Sequence, residues 1–191
     1  SALKEFERQY PLFSLCGLNC GLCPMHLNGC CPGCGGGTGT QPCAIARCSL
    51  DRGGIEFCCG CIEYPCARYQ AMTEYDSFIS HRHMAHDLAR LQQIGLDAYR
   101  AELEEKIKIL HTLLDGYNDG RRKTFYCTAV ALLDLDAIRD VMDGLAQQEN
   151  DEMEVREKAV YAARLFEQVA KQRKIVLKLC KKPKKTAGAA E

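Results

Sequence analysis

Twelve of the fourteen cysteines fall between Cys16 and Cys66, and only Cys127 and Cys180 lie outside. No other feature limits the fold so strongly. The same stretch carries PGCGGGTGT and DRGG, which are turn and loop compositions. Its apolar residues are too few and too scattered for a core of their own, and so small a piece needs staples. Residues 16–66 therefore read as irregular, with short turns or a stray hairpin, held together by metal.

The alternative staple is the disulfide, and fourteen is an even number. Compartment decides between the two. The N-terminus SALKEFERQYPLF has no basic region followed by an apolar run, so it is not read as a signal peptide. That favours a reducing cytosol, where dense cysteine more often means metal than cross-links. No run of about 18 apolar residues occurs, so no membrane-spanning helix is expected. Twenty-five basic residues balance twenty-five acidic ones, which removes any global pull towards nucleic acid or an anionic membrane.

The cysteine spacings narrow the chemistry. LCGLNCGLC places Cys16, Cys20 and Cys23 at C-x3-C-x2-C, the spacing of radical S-adenosylmethionine enzymes. Those enzymes need a parallel barrel of alternating strands and helices, and none is legible here. Two C-x2-C pairs follow, Cys31–Cys34 and Cys58–Cys61. In such a knuckle both thiolates address one tetrahedral ion. The two pairs are candidates for one shared four-thiolate site. The triplet would then combine with Cys43, Cys48 and Cys66, either in a second four-thiolate zinc site or in a [4Fe–4S] cluster. Pairing is not readable from spacing. Cys30 and Cys59 adjoin candidate ligands and read as extras. Cys127 and Cys180 read as small hydrophobes in helical patterns.

After Cys66 glycine becomes rare and helical periodicity takes over. Helices are expected over 81–94, with Gly95 as C-cap, over 97–115 and over 121–133. A fourth, capped by Asp134 or Asp136, runs to about Gln148. A fifth is expected from Asn150 and Asp151 through Cys180. It carries Val155, Ala159, Ala162, Phe166, Val169, Val176 and Cys180 as an apolar seam that Arg173 interrupts. The seam either packs on its own bundle or joins a partner or second copy. The chain thus divides into a cysteine-rich metal-binding module (1–66), an α-helical bundle (67–180) and a disordered basic tail (181–191). The fold class is mainly α.

CGLNC-x2-CP, CPGC, Cys43, Cys48, C-x2-C and YPCARY together resemble a cysteine-rich family of uncharacterised proteins, catalogued as domain-of-unknown-function family 3795. The resemblance extends over about residues 12–140, with Tyr64 where the family often has phenylalanine. It implies metal binding, taken to be zinc, and no established reaction. The ligand candidates it implies are Cys16, Cys20, Cys23, Cys31, Cys34, Cys43, Cys48, Cys58, Cys61 and Cys66. Ten exceed the eight that two four-thiolate sites use.

Outside the cysteines, HRHMAH places His81, His83 and His86 close together, with Asp76 or Asp87 as carboxylate partners for a metal. His26 is a possible substitute for a thiol. Arg121, Arg122 and Lys123 open a helix against its dipole, which marks either an anion site or an arginine paired with Asp115 or Asp119. GGGTGT lacks the following GK[ST] of a nucleotide loop. The favoured function is a structural zinc module acting in binding or as an adaptor. The alternatives are an iron–sulfur protein with a redox role, and an enzyme with a pocket between module and helices.

Overall fold

The computed structural model describes residues 6–148 and 152–183. It is mainly helical. Eight α-helices lie among the described residues: α1 (Pro24–Leu27), α2 (Ala44–Asp51), α3 (Ala67–Met72), α4 (Met84–Ile94), α5 (Leu96–Gly116), α6 (Lys123–Leu132), α7 (Leu135–Gln148) and α8 (Val155–Gln172). Two 3-10 turns, Cys20–Leu22 and Cys58–Gly60, sit in the cysteine-rich stretch. The extended pairing there is a single antiparallel bridge between Glu7 and Gly36. This matches the absence of strand–helix alternation in the sequence.

Each bundle helix follows its apolar spacing. In α5, Tyr99, Leu103, Leu110 and Leu113 are buried on one stripe. In α6 every residue from Tyr126 to Leu132 is buried, so this helix is central. The α7 stripe is Ala137, Ile138, Val141 and Leu145. Gly95, at φ 84°, both ends α4 and admits α5, a backbone angle that a side chain opposes. At the start of α7 the Asp134 carboxylate accepts the Ala137 amide at 2.8 Å, so Asp134 rather than Asp136 is the cap.

The last helix departs from its expected length. Asn150 and Asp151, its expected start, lie outside the described residues, as does most of the expected tail, residues 184–191. α8 ends at Gln172, eight residues before Cys180. Lys174 turns to φ 57°, and the Ile175 amide bonds back to the Ala170 carbonyl at 2.8 Å, a left-handed cap. Arg173, which interrupts the seam, pairs with Asp134 instead. Residues 175–180 then run as a strap to the loop before α4. The Cys180 amide donates to the Asp76 carboxylate and the Asp76 amide to the Cys180 carbonyl, each at 2.7 Å. Arg82 donates to the Lys178 carbonyl at 3.0 Å. Cys180 is therefore an exposed strap residue and not part of a helical apolar pattern. The seam itself is used within the bundle: Ala159, Ala162 and Phe166 are buried, while Val155 and Val176 are exposed.

The cysteine-rich stretch shares the helices' hydrophobic cluster. Phe13, Leu15, Leu22, Ile45 and Ala46 are buried in it with Tyr99, Leu110 and Tyr126. The Phe13 ring meets Tyr99 at 4.2 Å and Phe57 at 5.5 Å between centroids. The module's few apolar residues thus form the edge of a larger core. Among the described residues no helix is long and apolar enough to cross a membrane.

Candidate metal centres

All fourteen cysteines are free thiols. Backbone docking decides which of them meet. The Ser14 amide donates to the Leu18 carbonyl at 2.8 Å, and the Gly17 amide to the Ser14 carbonyl at 3.0 Å. This folds the first cysteine loop back on itself. The CPGC knuckle then docks through the Cys34 amide to the Pro11 carbonyl at 2.9 Å. Gly33 makes the approach possible, since a Cβ there would lie 2.5 Å from that same carbonyl oxygen. The second knuckle docks elsewhere, through the Cys58 amide to the Leu15 carbonyl at 2.8 Å.

The result is a partition the spacing did not reveal. Cys16, Cys20, Cys34 and Cys43 are electrostatic neighbours, with Cys23 also beside Cys20 and Cys58 also beside Cys16. Burial pushes the Cys16 thiol up to about 11, and Cys34 and Cys43 add to the rise. Burial also drives Cys20 well up, followed by Cys34 and Cys16. Cys48, Cys58, Cys61 and Cys66 form a second group around a cavity of about 40 Å³ that Leu15, Ile45, Tyr64 and Tyr69 help to line. Burial pushes Cys58 up to about 12, and Cys16, Cys66 and Cys48 contribute further. The two knuckles of the expected shared site, Cys31–Cys34 and Cys58–Cys61, dock on separate carbonyls, Pro11 and Leu15, and among the described residues no three of their thiols lie mutually within 4.8 Å. Cys31 neighbours Cys23 instead. These two are the surplus over eight. His26 adjoins them, its Nδ1 2.9 Å from the Cys31 carbonyl oxygen.

The backbone at Leu18 and Leu15 acts against burial at the sulfurs of Cys16 and Cys34, and that at Met25 and His26 does so at Cys23. This favours the thiolate, as a metal ligand requires. Burial opposes it, and a bound cation would supply the missing positive charge. The residues present fit a thiolate-bound metal in this respect. Among the described residues, though, no three thiols lie mutually within 4.8 Å. Tetrahedral zinc holds its sulfurs about 3.8 Å apart, given its bond length.

One contributor escaped the sequence reading. Arg8 is buried and donates to the Phe13 carbonyl at 2.6 Å and the Glu56 carbonyl at 3.0 Å. It also pairs with the Glu56 carboxylate at 3.0 Å and lies over the Phe57 ring. Its charge acts on Cys34 against the effect of burial. Arg8 therefore ties the loop before the first cysteine to the loop before the second knuckle. Nothing in SALKEFERQY distinguishes it from its charged neighbours. Arg8→Met, which keeps the apolar stem and loses the donors, is expected to cost about 2–3 kcal/mol, read by urea unfolding.

The histidine cluster separates into two parts. His81 is buried and both ring nitrogens are engaged, Nδ1 with the Met72 carbonyl at 2.7 Å and Nε2 with Ser77 Oγ at 2.8 Å. Asp76 is likewise occupied, by the His81 amide and by the strap. Both are removed from the list of metal candidates. His83, His86 and Asp87, by contrast, bring one ligand atom each within 4.8 Å of the others. Burial lowers the His83 imidazole from its usual range, while the hydrogen bond to Asp87 raises that of His86. The Asp87 carboxylate accepts from Asn19 at 2.9 Å, and Asn19 Oδ1 accepts from Tyr99 at 2.8 Å. Asn19 and Tyr99 carry no recognisable motif, so the sequence does not expose this support.

The remaining candidates resolve simply. Arg122 pairs with Asp119 at 3.3 Å, which is the ion-pair reading of NDGRRK. Lys123 bonds to Asn28. Cys127 is buried in α6, where burial lifts its thiol to about 12. Cys30 is exposed, and Cys59 contributes nothing beyond its proximity to Cys58. Scans of the chain against protein-family models, curated proteins and solved structures return no match.

Proposed function

We propose that this chain is a thiolate metal-binding protein with two centres, one at Cys16, Cys20, Cys34 and Cys43, the other at Cys48, Cys58, Cys61 and Cys66. The observation that carries the reading is that Cys16, Cys20, Cys34 and Cys43 are electrostatic neighbours while Cys48, Cys58, Cys61 and Cys66 line one cavity beside them, Cys58 also neighbouring Cys16. Zinc in a structural role is the first assignment. It suits four thiolates, needs no redox chemistry, and supplies folding free energy to a stretch with little core of its own. Membership of the cysteine-rich family that the chain resembles belongs to the same proposal. So does a reducing compartment such as the cytosol, in which the thiols stay available. The role is then that of a binding or adaptor module. A protein partner or second copy would meet the outer face of α8, where Val155 and Val160 are exposed, since the seam is buried.

The iron–sulfur reading is favoured by one observation, the spacing of the thiols. A cubane holds its cysteines on the outside of a four-iron core, so their sulfurs stand much farther apart than around one zinc ion. Among the described residues the thiols do not close in threes within 4.8 Å, so as placed they are wider than a single zinc ion would hold them. An iron–sulfur occupant would make the protein an electron carrier or an oxidoreductase component.

Elemental analysis of protein purified without air separates the readings. Two zinc ions per chain bound by cysteine, with no acid-labile sulfide, is the expected result. Iron with matching sulfide replaces the first assignment by the second. Neither metal at stoichiometric level would overturn both.

A further inference from the structure

We propose that His83, His86 and Asp87 form a separate site for one divalent transition-metal ion, with coordination positions left open to the groove between α4, α5 and the start of α7. The proposal concerns a centre other than the thiol groups, and it stands or falls independently of them.

The ligand atoms converge because of helix spacing. His83 is the residue before α4, His86 lies three positions on and Asp87 four. Those intervals place all three on one face of the first turn. Their ligand atoms lie within 4.8 Å of one another, and the two imidazole rings are 4.7 Å apart between centroids. Two imidazoles and a carboxylate are a borderline-to-hard set that suits zinc, iron or cobalt, unlike the soft thiolates of the cysteine centres. Three protein ligands leave at least one position free, which distinguishes an open site from the closed four-thiolate type.

The carboxylate is pre-positioned. Asp87 is buried, and one of its oxygens is held by Asn19, which Tyr99 fixes in turn. The other oxygen meets His86 Nδ1 at 3.0 Å, a hydrogen bond that a metal would replace. Such support of ligating carboxylates is a usual part of a metal site. Asn19 comes from the cysteine loop and Tyr99 from α5, so the site draws on three parts of the chain.

The free side has somewhere to open. His86 and Asp87 line a groove of about 570 Å³ together with Tyr99, Glu102, Lys106 and Arg139. That volume is in the range of small-molecule sites. Arg139 is paired with Glu105 at 2.6 Å. Lys106, a like charge to the proposed ion, is held at the Leu133 carbonyl at 2.8 Å, and Asp87, Glu102 and Asp134 offset its charge. With Asp87, Glu102, Glu105, Asp134 and Asp136 on its wall against Arg90, Lys106 and Arg139, the groove favours water or a neutral oxygen or nitrogen donor over an anion as the ligand that would complete the coordination.

The test is a cobalt(II) titration of the full chain with its thiol-bound metal in place, followed by visible absorption. One equivalent with d–d bands and no thiolate-to-cobalt charge transfer is expected. His86→Ala should abolish that equivalent. His86 is exposed, so this variant should keep its far-ultraviolet circular dichroism, and its thiol-bound metal content, measured on the same sample, should not change. Asn19→Ala should weaken cobalt binding about 10–100-fold. The proposal is overturned if the bands carry thiolate charge transfer, if no such equivalent binds, or if His86→Ala binds cobalt as the parent does.

Discussion

A Cys58→Ser protein is expected to carry one metal centre fewer than the parent and to melt about 20 °C lower or more. Cys58 has Cys16, Cys66 and Cys48 as electrostatic neighbours, and shares its cavity with Cys48, Cys61 and Cys66. A hydroxyl is a poor replacement for a thiolate, and three ligands do not close a tetrahedral structural site. The segment that depends on this centre runs from α2 to α3, two helices of eight and six residues. Isolated helices that short are not stable in water. Structural zinc supplies about 10–16 kcal/mol of apparent folding free energy in small peptides. A chain this size loses about 2–4 °C of melting temperature per kcal/mol, so half of that contribution corresponds to about 10–32 °C, a range that contains the stated drop. Two controls give the prediction its edge. Cys59→Ser changes the neighbouring thiol, which belongs to neither group, and should keep full metal content. Cys31→Ser should also keep both centres, because Cys31 neighbours Cys23 and belongs to neither proposed centre. Calorimetry and metal analysis on the three variants check all of this at once. Loss of metal in Cys31→Ser with retention in Cys58→Ser would invert the partition.

Gly17→Ala is expected to destabilise the protein by about 3–5 kcal/mol, the second large effect. Two independent costs add at this position. Gly17 sits at φ +93°, in the half of backbone space where a side chain costs about 1–2 kcal/mol. The added Cβ would also lie 2.3 Å from the Met84 carbonyl oxygen and 2.9 Å from Leu88 Cγ. That oxygen belongs to the first turn of α4, so relief requires moving the helix from the cysteine loop. Forced overpacking of this kind costs about 1–3 kcal/mol or more. Gly54→Ala isolates the backbone part, since Gly54 is at φ +85° with open space where its Cβ would go. Gly60→Ala has neither cost and should be close to neutral. Urea unfolding of the three variants gives the ordering; equal effects at Gly17 and Gly54 would remove the steric argument.

The helices α4 to α7 were legible in the sequence, whereas α1, α2 and α3, in or beside a stretch read as irregular, and the grouping of the thiols were not, for different physical reasons. A helix is written in spacing: Tyr99, Leu103, Leu110 and Leu113 recur on one side, and Gly95 marks a boundary that only its backbone freedom permits. Thiol grouping is set by long-range docking of loops. Cys34 reaches Cys16 with its amide on Pro11 and Cys58 reaches it with its amide on Leu15, while Cys48, Cys61 and Cys66 share the cavity beside Cys58. C-x2-C spacing says that two thiols face the same way, but not which other pair they will meet. α8 shows the limit of periodicity itself. The seam continues to Cys180 in sequence, yet the pairing of Arg173 with Asp134 and the left-handed turn at Lys174 end the helix first. The histidine cluster was visible as a cluster. Only the surroundings show that His81 is fully engaged at Met72 and Ser77 while His83 and His86 are left for Asp87.

The strap holds residues 178–180 against the loop before α4. Both backbone groups of Cys180 are held at Asp76, and Arg82 grips Lys178 one residue before His83. A fluorophore or linker attached after residue 183 starts from an address beside the histidine cluster, whereas one attached ahead of Phe6 starts beside the thiol loops, through Arg8. The two ends therefore report on different centres. A quencher-sensitive dye at the carboxyl side should respond to cobalt arriving at His86 and not to zinc leaving the cysteines, which makes end-labelling a way to watch the two kinds of metal exchange separately in one molecule.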